Sequence, residues 1–186
     1  MASWGHSEYG TSVSPIIHAE MGWLVAQPLA RRRDRILVMA LGLLPDLDGL
    51  GILLGAAWYA AWHHRLLHGF PAAILVTGVG WWVSRSWRTA VLALLAFHIH
   101  IAADLVGSGP GWPVFYMWPL SDQGVLFSWQ WDLASWQNSI IGLAVTLMAL
   151  GCALVSGRTP VEVLSREWDA RVVETIRQRF RRRTQG

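Results

Sequence analysis

The chain has 186 residues, of which 53% are hydrophobic and 15% charged, and its mean hydropathy is +0.34. This composition excludes a disordered or coiled-coil protein and argues against an ordinary soluble domain, in which about 25% of residues are charged. All 15 basic residues are arginines in a few clusters between apolar runs. We therefore interpret the positive charge as a signal of membrane topology and expect no nucleic-acid partner. The single cysteine, Cys152, excludes an intrachain disulfide and a cysteine-based metal site.

Five apolar runs follow a polar N-terminal tail. The tail, residues 1–15, has neither the basic start nor the apolar centre of a secretory signal. A helix needs about 20 residues to span a bilayer core, and several runs reach that length only when their polar flanks are counted. We see no β-strand pattern and predict an all-α integral membrane bundle of four to five membrane helices within residues 16–157. The runs cover residues 16–30, 36–61, 70–83, 89–106 and 140–155.

Two further segments differ from these runs. Residues 107–137 are rich in Gly, Pro and Trp and are too long for a simple connection, so we expect a lid or a binding surface. Residues 158–186 form a third domain, a basic amphipathic helix with apolar residues at helical spacing. Its last arginines either bind anionic lipid at the membrane surface or belong to a solvated basic tail.

The arginine clusters predict the topology. Fourteen of the 15 arginines lie within 31–35, 85–88 and 158–183, and these segments share one side of the membrane if the second to fifth runs alternate. The positive-inside rule places that side, with the C-terminus, in the cytoplasm. We expect a multi-pass protein of the cytoplasmic (inner) membrane. The orientation of the N-terminus stays open.

Ionisable residues inside the apolar runs mark a candidate site. Such residues are costly in a membrane and are functional candidates by default. At a rise of about 1.5 Å per helical residue, the ionisable residues of four different segments lie about 18 to 25 Å from the level of the arginine clusters. Their agreement in depth predicts one shared site near the outer face. The residues at this depth are His18, Asp46, Asp48, His68, His100 and Asp104.

Helical spacing sorts some of these residues. His100 and Asp104 are four residues apart and share a helix face, as do His64 and His68. His98 lies about 200° from His100 and is expected to point elsewhere. The same phase separates Asp46 from Asp48, unless Pro45 unwinds the helix and lets both turn inward.

The chemistry of this set favours a divalent metal. Imidazole and carboxylate ligands without thiolate suit zinc or a similar ion, and the number of ligands allows one to three ions. Such a metal can activate water and polarise a phosphoryl or carbonyl oxygen. The alternative is that the His and Asp side chains pair with one another and hold the helices together.

Five short motifs occur in order over residues 16–120: His18 before an apolar helix, Leu44-Pro45-Asp46-Leu47-Asp48, His64-Arg65-Leu66-Leu67-His68, His100-Ile101-Ala102-Ala103-Asp104 and Trp118-Pro119. This ordered set resembles the YdjM-type family of membrane-bound metal-dependent hydrolases. That family is distantly similar to the zinc-dependent phospholipase C and nuclease P1 group. The chain departs from the family pattern at Gly49, where a His is usual, and in the spacing of its histidine pair, so His63 and His64 are both candidate counterparts.

The resemblance implies a hydrolase that uses a bound metal, with zinc as the expected ion. Its ligands would be His18, Asp46 and/or Asp48, His64, His68, His100 and Asp104. His64 and Arg65 are the expected catalytic residues, with Arg65 binding a substrate anion. A phosphoester or a lipid ester is the expected substrate, and membrane lipid the expected partner. The alternative is a non-catalytic membrane protein, either a transporter of metal or protons or an interaction partner.

Overall fold

The computed structural model describes residues 15–184, without the side chains of 182–184. Of the predicted N-terminal tail, residues 1–14 lie outside the described residues. Within the described range the chain is all-helical, as predicted, and its β pairing is one isolated bridge between Val114 and Val125. Two 3₁₀ helices, Pro45–Leu54 and Pro160–Val163, accompany the α-helices. These are α1 (Pro15–Val25), α2 (Arg32–Gly42), α3 (Ala56–Trp62), α4 (Phe70–Ser84), α5 (Trp87–Gly107), α6 (Trp136–Val155) and α7 (Arg166–Thr184).

The centre of the bundle is formed by α1, α2, α4 and α5, with α6 packed against α1. Small residues allow these helices to approach closely. A methyl group added at Gly22 would lie 3.2 Å from Cα of Met39, and one added at Gly42 would lie 3.1 Å from Cβ of Ala96. The core between them is apolar and includes Ala26, Val38, Leu41, Ala72, Val76, Ala93, Ala96, Phe97 and Ile101.

Two helices, α5 and α6, are long and apolar enough to cross a membrane. A third span is possible if α2 and the 3₁₀ helix Pro45–Leu54, which are bent by 51°, count as one. The structure therefore supports two or three candidate spans, fewer than the four to five that we predicted. The difference arises because α1 has 11 residues and α4 has 15. At about 1.5 Å per residue both fall short of a hydrocarbon core about 30 Å thick.

The surface of α6 is strongly apolar. Leucines, isoleucine, methionine and valine on its outer side are 40% to 90% exposed. A contiguous apolar surface of this kind is characteristic of a lipid or protein interface. The residues are Ile140, Leu143, Leu147, Met148, Leu150, Leu154 and Val155.

The three arginine clusters lie at one end of the bundle. Arg33 donates to the carbonyl of Val83 at 2.8 Å, close to the second cluster. Arg32 donates to the carbonyl of Glu162 at 2.6 Å, within the third. His100 and Asp104 lie in the final turns of α5, toward the opposite end. The fold thus separates the arginines from the candidate site along the length of the bundle.

The predicted amphipathic C-terminal helix is present as α7. It buries Asp169 and Val173, while Trp168 is 58% exposed and Phe180 is 53% exposed. Arg177 on α7 donates to the carbonyl of Ala153 at the end of α6, at 3.1 Å. The helix is therefore packed against the bundle on one side and presents exposed aromatic and basic residues on the other.

Candidate metal centre

Four imidazole rings surround one carboxylate, that of Asp104 on α5. The Nε2 atom of His18, on α1, lies 3.4 Å from Oδ1 of Asp104. The Nε2 atoms of His100, His68 and His64 lie 3.0, 3.2 and 3.9 Å from Oδ2. Three separate parts of the chain therefore bring their rings to the same point, as the common depth of His18, His68 and His100 predicted.

The arrangement contains two groups of three potential metal ligands. One consists of His18, His100 and Asp104, the other of His64, His68 and Asp104, and within each group the ligand atoms lie within 4.8 Å of one another. All five residues are at most 5% exposed. Asp104 belongs to both groups, so a divalent ion held by either group would use this carboxylate.

Two polar atoms in the cluster support the fit of a cation. Nε2 of His100 is buried and makes no hydrogen bond to the described residues, although Oδ2 of Asp104 is close. Oδ2 of Asp46 is also buried without a described partner, and its Oδ1 lies 3.6 Å from Nε2 of His100. A buried polar atom without a partner costs about 1 to 3 kcal/mol. The residues present therefore fit a divalent metal such as zinc, which favours nitrogen and oxygen ligands.

The structure places Asp48 behind His68 and outside both groups of three. Its Oδ2 accepts from Nδ1 of His68 at 3.0 Å and from the backbone N–H of Leu67 at 3.3 Å. Its Oδ1 accepts from Nδ1 of His63 at 2.6 Å. A carboxylate that holds the second nitrogen of a metal-binding histidine fixes the orientation of the ring. We expected Asp46, Asp48 or both to bind the metal, and this geometry suits Asp48 to orient His68.

A break in the second apolar run lets both aspartates turn toward the site. The α-helix ends at Gly42, and Pro45, which cannot donate a backbone hydrogen bond, opens a 3₁₀ helix. Each residue of a 3₁₀ helix advances by about 120° instead of about 100°. The 51° bend and this tighter winding direct Asp46 to His100 and Asp48 to His68. The sequence left open whether the helix is regular here or unwinds at Pro45, and the structure has the unwound form.

His64 and His68 do not share a helix face, contrary to our interpretation. They lie in the irregular connection between α3 and α4, and His64 has a backbone φ of 64°. This left-handed conformation is uncommon outside glycine and is typical of constrained sites. The carbonyl of His64 accepts from the backbone N–H of Phe115 at 3.0 Å. This hydrogen bond attaches the long loop to the turn that contains His64. The turn places the ring of His64 in the cluster and the ring of His63 against the carboxylate of Asp48.

The charges of the cluster affect its two loop histidines in opposite ways. Burial and the neighbouring His68 lower the pKa of His64 to about 3, which leaves it neutral, the form that binds metals. Burial also acts to lower the pKa of His68, but hydrogen bonds with Asp104 and Asp48 outweigh burial and raise it to about 9. The two histidines therefore differ in how strongly they hold a proton.

Arg65 is directed to the long loop. Its Nη1 donates to Asp122 at 2.6 Å, and its guanidinium lies 4.0 Å from the ring centre of Phe115. Its catalytic role stays a prediction. His98 points away from the cluster, as its helical phase predicted, and bonds to the carbonyl of Leu94 and the hydroxyl of Tyr116.

Two residues beside the cluster were missed by the sequence analysis. Ser108 donates its hydroxyl to Oδ1 of Asp104 at 3.3 Å, and the indole of Trp112 packs edge-on against His63 and His64. Both residues also line an open pocket of about 690 Å³ between the two halves of the long loop. Ser108 could have been found, because it follows Asp104 by four residues on the same helix face.

Comparison with known protein families finds a match that covers most of the chain. The sequence model of a family described as "YdjM inner membrane protein" matches residues 13–168. A search of curated proteins and a search of solved structures each returned no match. The expected distant similarity to the zinc-dependent phospholipase C and nuclease P1 group is therefore not shown.

Proposed function

Because this membrane protein belongs to the YdjM inner membrane protein family, we propose that it is an integral membrane metal-dependent hydrolase. The observation that carries the proposal is the buried Asp104 carboxylate with four imidazole Nε2 atoms within 3.9 Å. Mutual pairing of these side chains explains the cluster less well, since it leaves the buried Oδ2 of Asp46 without a hydrogen bond from the described residues. Zinc is the ion best suited to this set of ligands.

In this proposal the side chains have distinct roles. Asp104 bridges two ligand groups, one completed by His18 and His100 and the other by His64 and His68. Asp48 orients His68 through its Nδ1, and Asp46 stands at the more open edge with a side chain 25% exposed. A bound zinc ion would supply a Lewis acid that activates water and polarises the substrate.

A phosphoester or a lipid ester is the proposed substrate class. The pocket lined by Ser108 and Trp112 adjoins the cluster and offers space for a substrate. Arg65 faces the same loop, and its partner Asp122 has a side chain 80% exposed. Because a solvent-exposed ion pair is weak, a substrate phosphate can replace Asp122 as the partner of Arg65.

The proposed membrane topology follows from the positions of the arginine clusters and the His/Asp cluster at opposite ends of the bundle. The arginine clusters face the cytoplasm under the positive-inside rule, which puts the C-terminus there. The His/Asp cluster then lies near the outer face, at the depth of lipid headgroups. This location is the reason for including lipid esters among the substrates.

Transport of metal or protons across the membrane is the less favoured alternative. A transport path requires polar residues to continue from the cluster to the arginine end. Among the described residues, the interior between the two ends is filled by fully buried apolar side chains such as Val38, Ala93 and Phe97. A pocket open to one side accounts better for this interior.

Metal content of the detergent-purified protein, measured by inductively coupled plasma mass spectrometry, tests the proposal. We expect at least one equivalent of zinc in the wild type and its loss in His100→Ala/Asp104→Ala. His98→Ala is the matched control, because His98 lies on the same helix but bonds to Tyr116, and it should retain the metal. A well-folded wild type that takes up no zinc would remove the basis of the hydrolase proposal.

Activity is then measured on a chromogenic phosphodiester and on fluorescent phospholipids. We expect hydrolysis by the zinc-loaded wild type, none after treatment with a chelator, and recovery when zinc is restored. Zinc binding without hydrolysis of either class would leave a metal-binding membrane protein and contradict the enzymatic part of the proposal.

A further inference from the structure

A second candidate site lies at the arginine end of the bundle, remote from the His/Asp cluster. Five arginines line a single pocket of about 510 Å³ there. The carboxylates of Glu162 and Asp169 line the same pocket. The first arginine cluster and the start of α7 meet in this pocket, although more than 120 residues separate them in the chain. The arginines are Arg31, Arg32, Arg33, Arg35 and Arg166.

Two of the arginines build the wall of the pocket. Arg35 is 5% exposed and forms a two-pronged ion pair with Glu162, at 2.7 and 2.5 Å. Arg32 donates to the backbone carbonyls of Glu162 and Val163 at 2.6 and 3.1 Å. Arg35 thus neutralises the charge of Glu162, and hydrogen bonds from Arg32 and Arg35 hold this side of the pocket in place.

The remaining arginines are available to an anion. Arg31 and Arg166 are exposed, and neither makes a hydrogen bond or an ion pair with the described side chains or backbone of residues 15–181. Arg33 is exposed and uses one nitrogen for the carbonyl of Val83. The carboxylate of Asp169 accepts from the backbone N–H and hydroxyl of Thr159, at 2.7 and 2.6 Å. The open part of the pocket therefore carries an excess of positive charge, in the planar form that suits phosphate oxygens.

An apolar groove of about 470 Å³ begins next to this pocket. Its lining is apolar except for Arg88: Pro28 and Leu29 lie on one side, and Trp87, Arg88, Val91 and Leu92 of α5 lie on the other. Residues 28–31 connect the two, because Leu29 lines the groove while Ala30 and Arg31 line the pocket. Trp87 is 69% exposed, as expected of an aromatic residue at a membrane interface.

We propose that the arginine pocket and this groove together bind an anionic phospholipid, with the phosphate among Arg31, Arg33 and Arg166 and an acyl chain along Val91. Basic pockets beside membrane helices on the cytoplasmic side are suited to such headgroups. The groove favours lipid over soluble phosphate, since a free anion would leave the adjoining apolar surface without a partner. The site is independent of the proposed hydrolase activity.

Native mass spectrometry of the detergent-purified full chain tests the site, with dioleoylphosphatidylglycerol as the probe and dioleoylphosphatidylcholine for comparison. We expect wild type to prefer the anionic lipid, and Arg31→Gln/Arg166→Gln to bind it about tenfold more weakly or worse. The matched control is Arg171→Gln/Arg179→Gln, which removes the same charge from exposed positions on α7 outside the pocket. It should bind as wild type does.

Two further measurements distinguish a phosphate carried by a lipid from a soluble phosphate. Val91→Trp fills the groove and should weaken dioleoylphosphatidylglycerol but leave its dihexanoyl analogue unaffected. Millimolar inorganic phosphate should fail to displace the long-chain lipid. Displacement by inorganic phosphate would assign the pocket to a soluble anion and overturn the proposal. Unchanged binding in Arg31→Gln/Arg166→Gln, or an equal loss in the control, would also overturn it, and a thermal unfolding curve checks that each variant is folded.

Discussion

Nε2 of His100 lies 3.0 Å from Oδ2 of Asp104, one turn further along α5, and 3.6 Å from Oδ1 of Asp46. Two electron-rich atoms at this distance repel each other unless a proton or a metal ion lies between them. The spacing of four residues, which is visible in the sequence, thus places both side chains at the centre of the proposed site.

Zinc should stabilise the protein through Asp104. Zinc added to chelator-treated wild type at about 100 times its dissociation constant should stabilise the fold by about 2.7 kcal/mol, seen as a higher unfolding temperature. Asp104→Asn should show no increase, because it removes the carboxylate shared by both ligand groups. Asp122→Asn, an exposed loop substitution, should respond as wild type does. An undiminished shift in Asp104→Asn would exclude Asp104 as a ligand.

Asp48→Asn should weaken zinc binding without abolishing it. Asp48 contacts Nδ1 of His68, the nitrogen that faces away from Asp104, and loss of such an orienting carboxylate typically lowers metal affinity about 10- to 100-fold. Competition with a chromophoric chelator measures the affinity. A loss as complete as that in Asp104→Asn would instead make Asp48 a direct ligand, as the motif by itself implies.

Glu162→Gln should destabilise the arginine end of the bundle. The substitution leaves the buried Arg35 guanidinium without its counter-charge, which costs about 3 to 5 kcal/mol when a buried pair is broken. Denaturant unfolding in mixed micelles, followed by tryptophan fluorescence, measures the change. Glu167→Gln removes an exposed pair with Arg171 and should cost less than about 1 kcal/mol. Equal effects of the two substitutions would contradict the structural role of Glu162.

The contribution of Glu162 should depend on pH. Burial acts to raise the pKa of Glu162, but hydrogen bonds from Arg35 and Trp23 outweigh burial and hold it below its ordinary value of 4.5. A carboxyl with a lowered pKa in the folded state stabilises the protein above its unfolded pKa, and this stabilisation is lost as the pH falls through the folded pKa. The stability difference between wild type and Glu162→Gln should therefore be constant near neutral pH and shrink below pH 4.5. A difference that grows on acidification would contradict this assignment.

Gly80→Leu should separate α4 from α5. A methyl group at Gly80 already lies 3.2 Å from Cα of Ala90 and 3.3 Å from Cβ of Ala93, so a larger side chain should cost about 1 to 3 kcal/mol. At Gly78, on the same helix, no atom lies within 4 Å of an added methyl group. Gly78→Leu should be neutral or slightly stabilising, because leucine has the higher helix propensity. Comparison of unfolding temperatures tests the pair, and equal destabilisation would show that close helix packing is not the cause.

Much of the architecture followed from composition and periodicity. Apolar runs without strand patterns predicted an all-α membrane protein, and the ordered motifs predicted the family, both of which are confirmed. The number of spans was overestimated, because run length in a sequence does not reveal where a helix breaks. Pro45 ends one run early, and α4 is too short to span by itself.

Helical spacing by itself placed His100 with Asp104 and turned His98 away, since a regular helix fixes the angle between residues. It failed for His64 and His68, where a left-handed residue and a hydrogen bond from the long loop direct the rings. The sequence therefore determined the residue types, their order and their depth in the bundle. Only the tertiary structure decided that Asp104 lies at the centre, that Asp48 stands behind His68 and that Arg31 meets Arg166, because contacts between distant segments depend on packing and turn geometry.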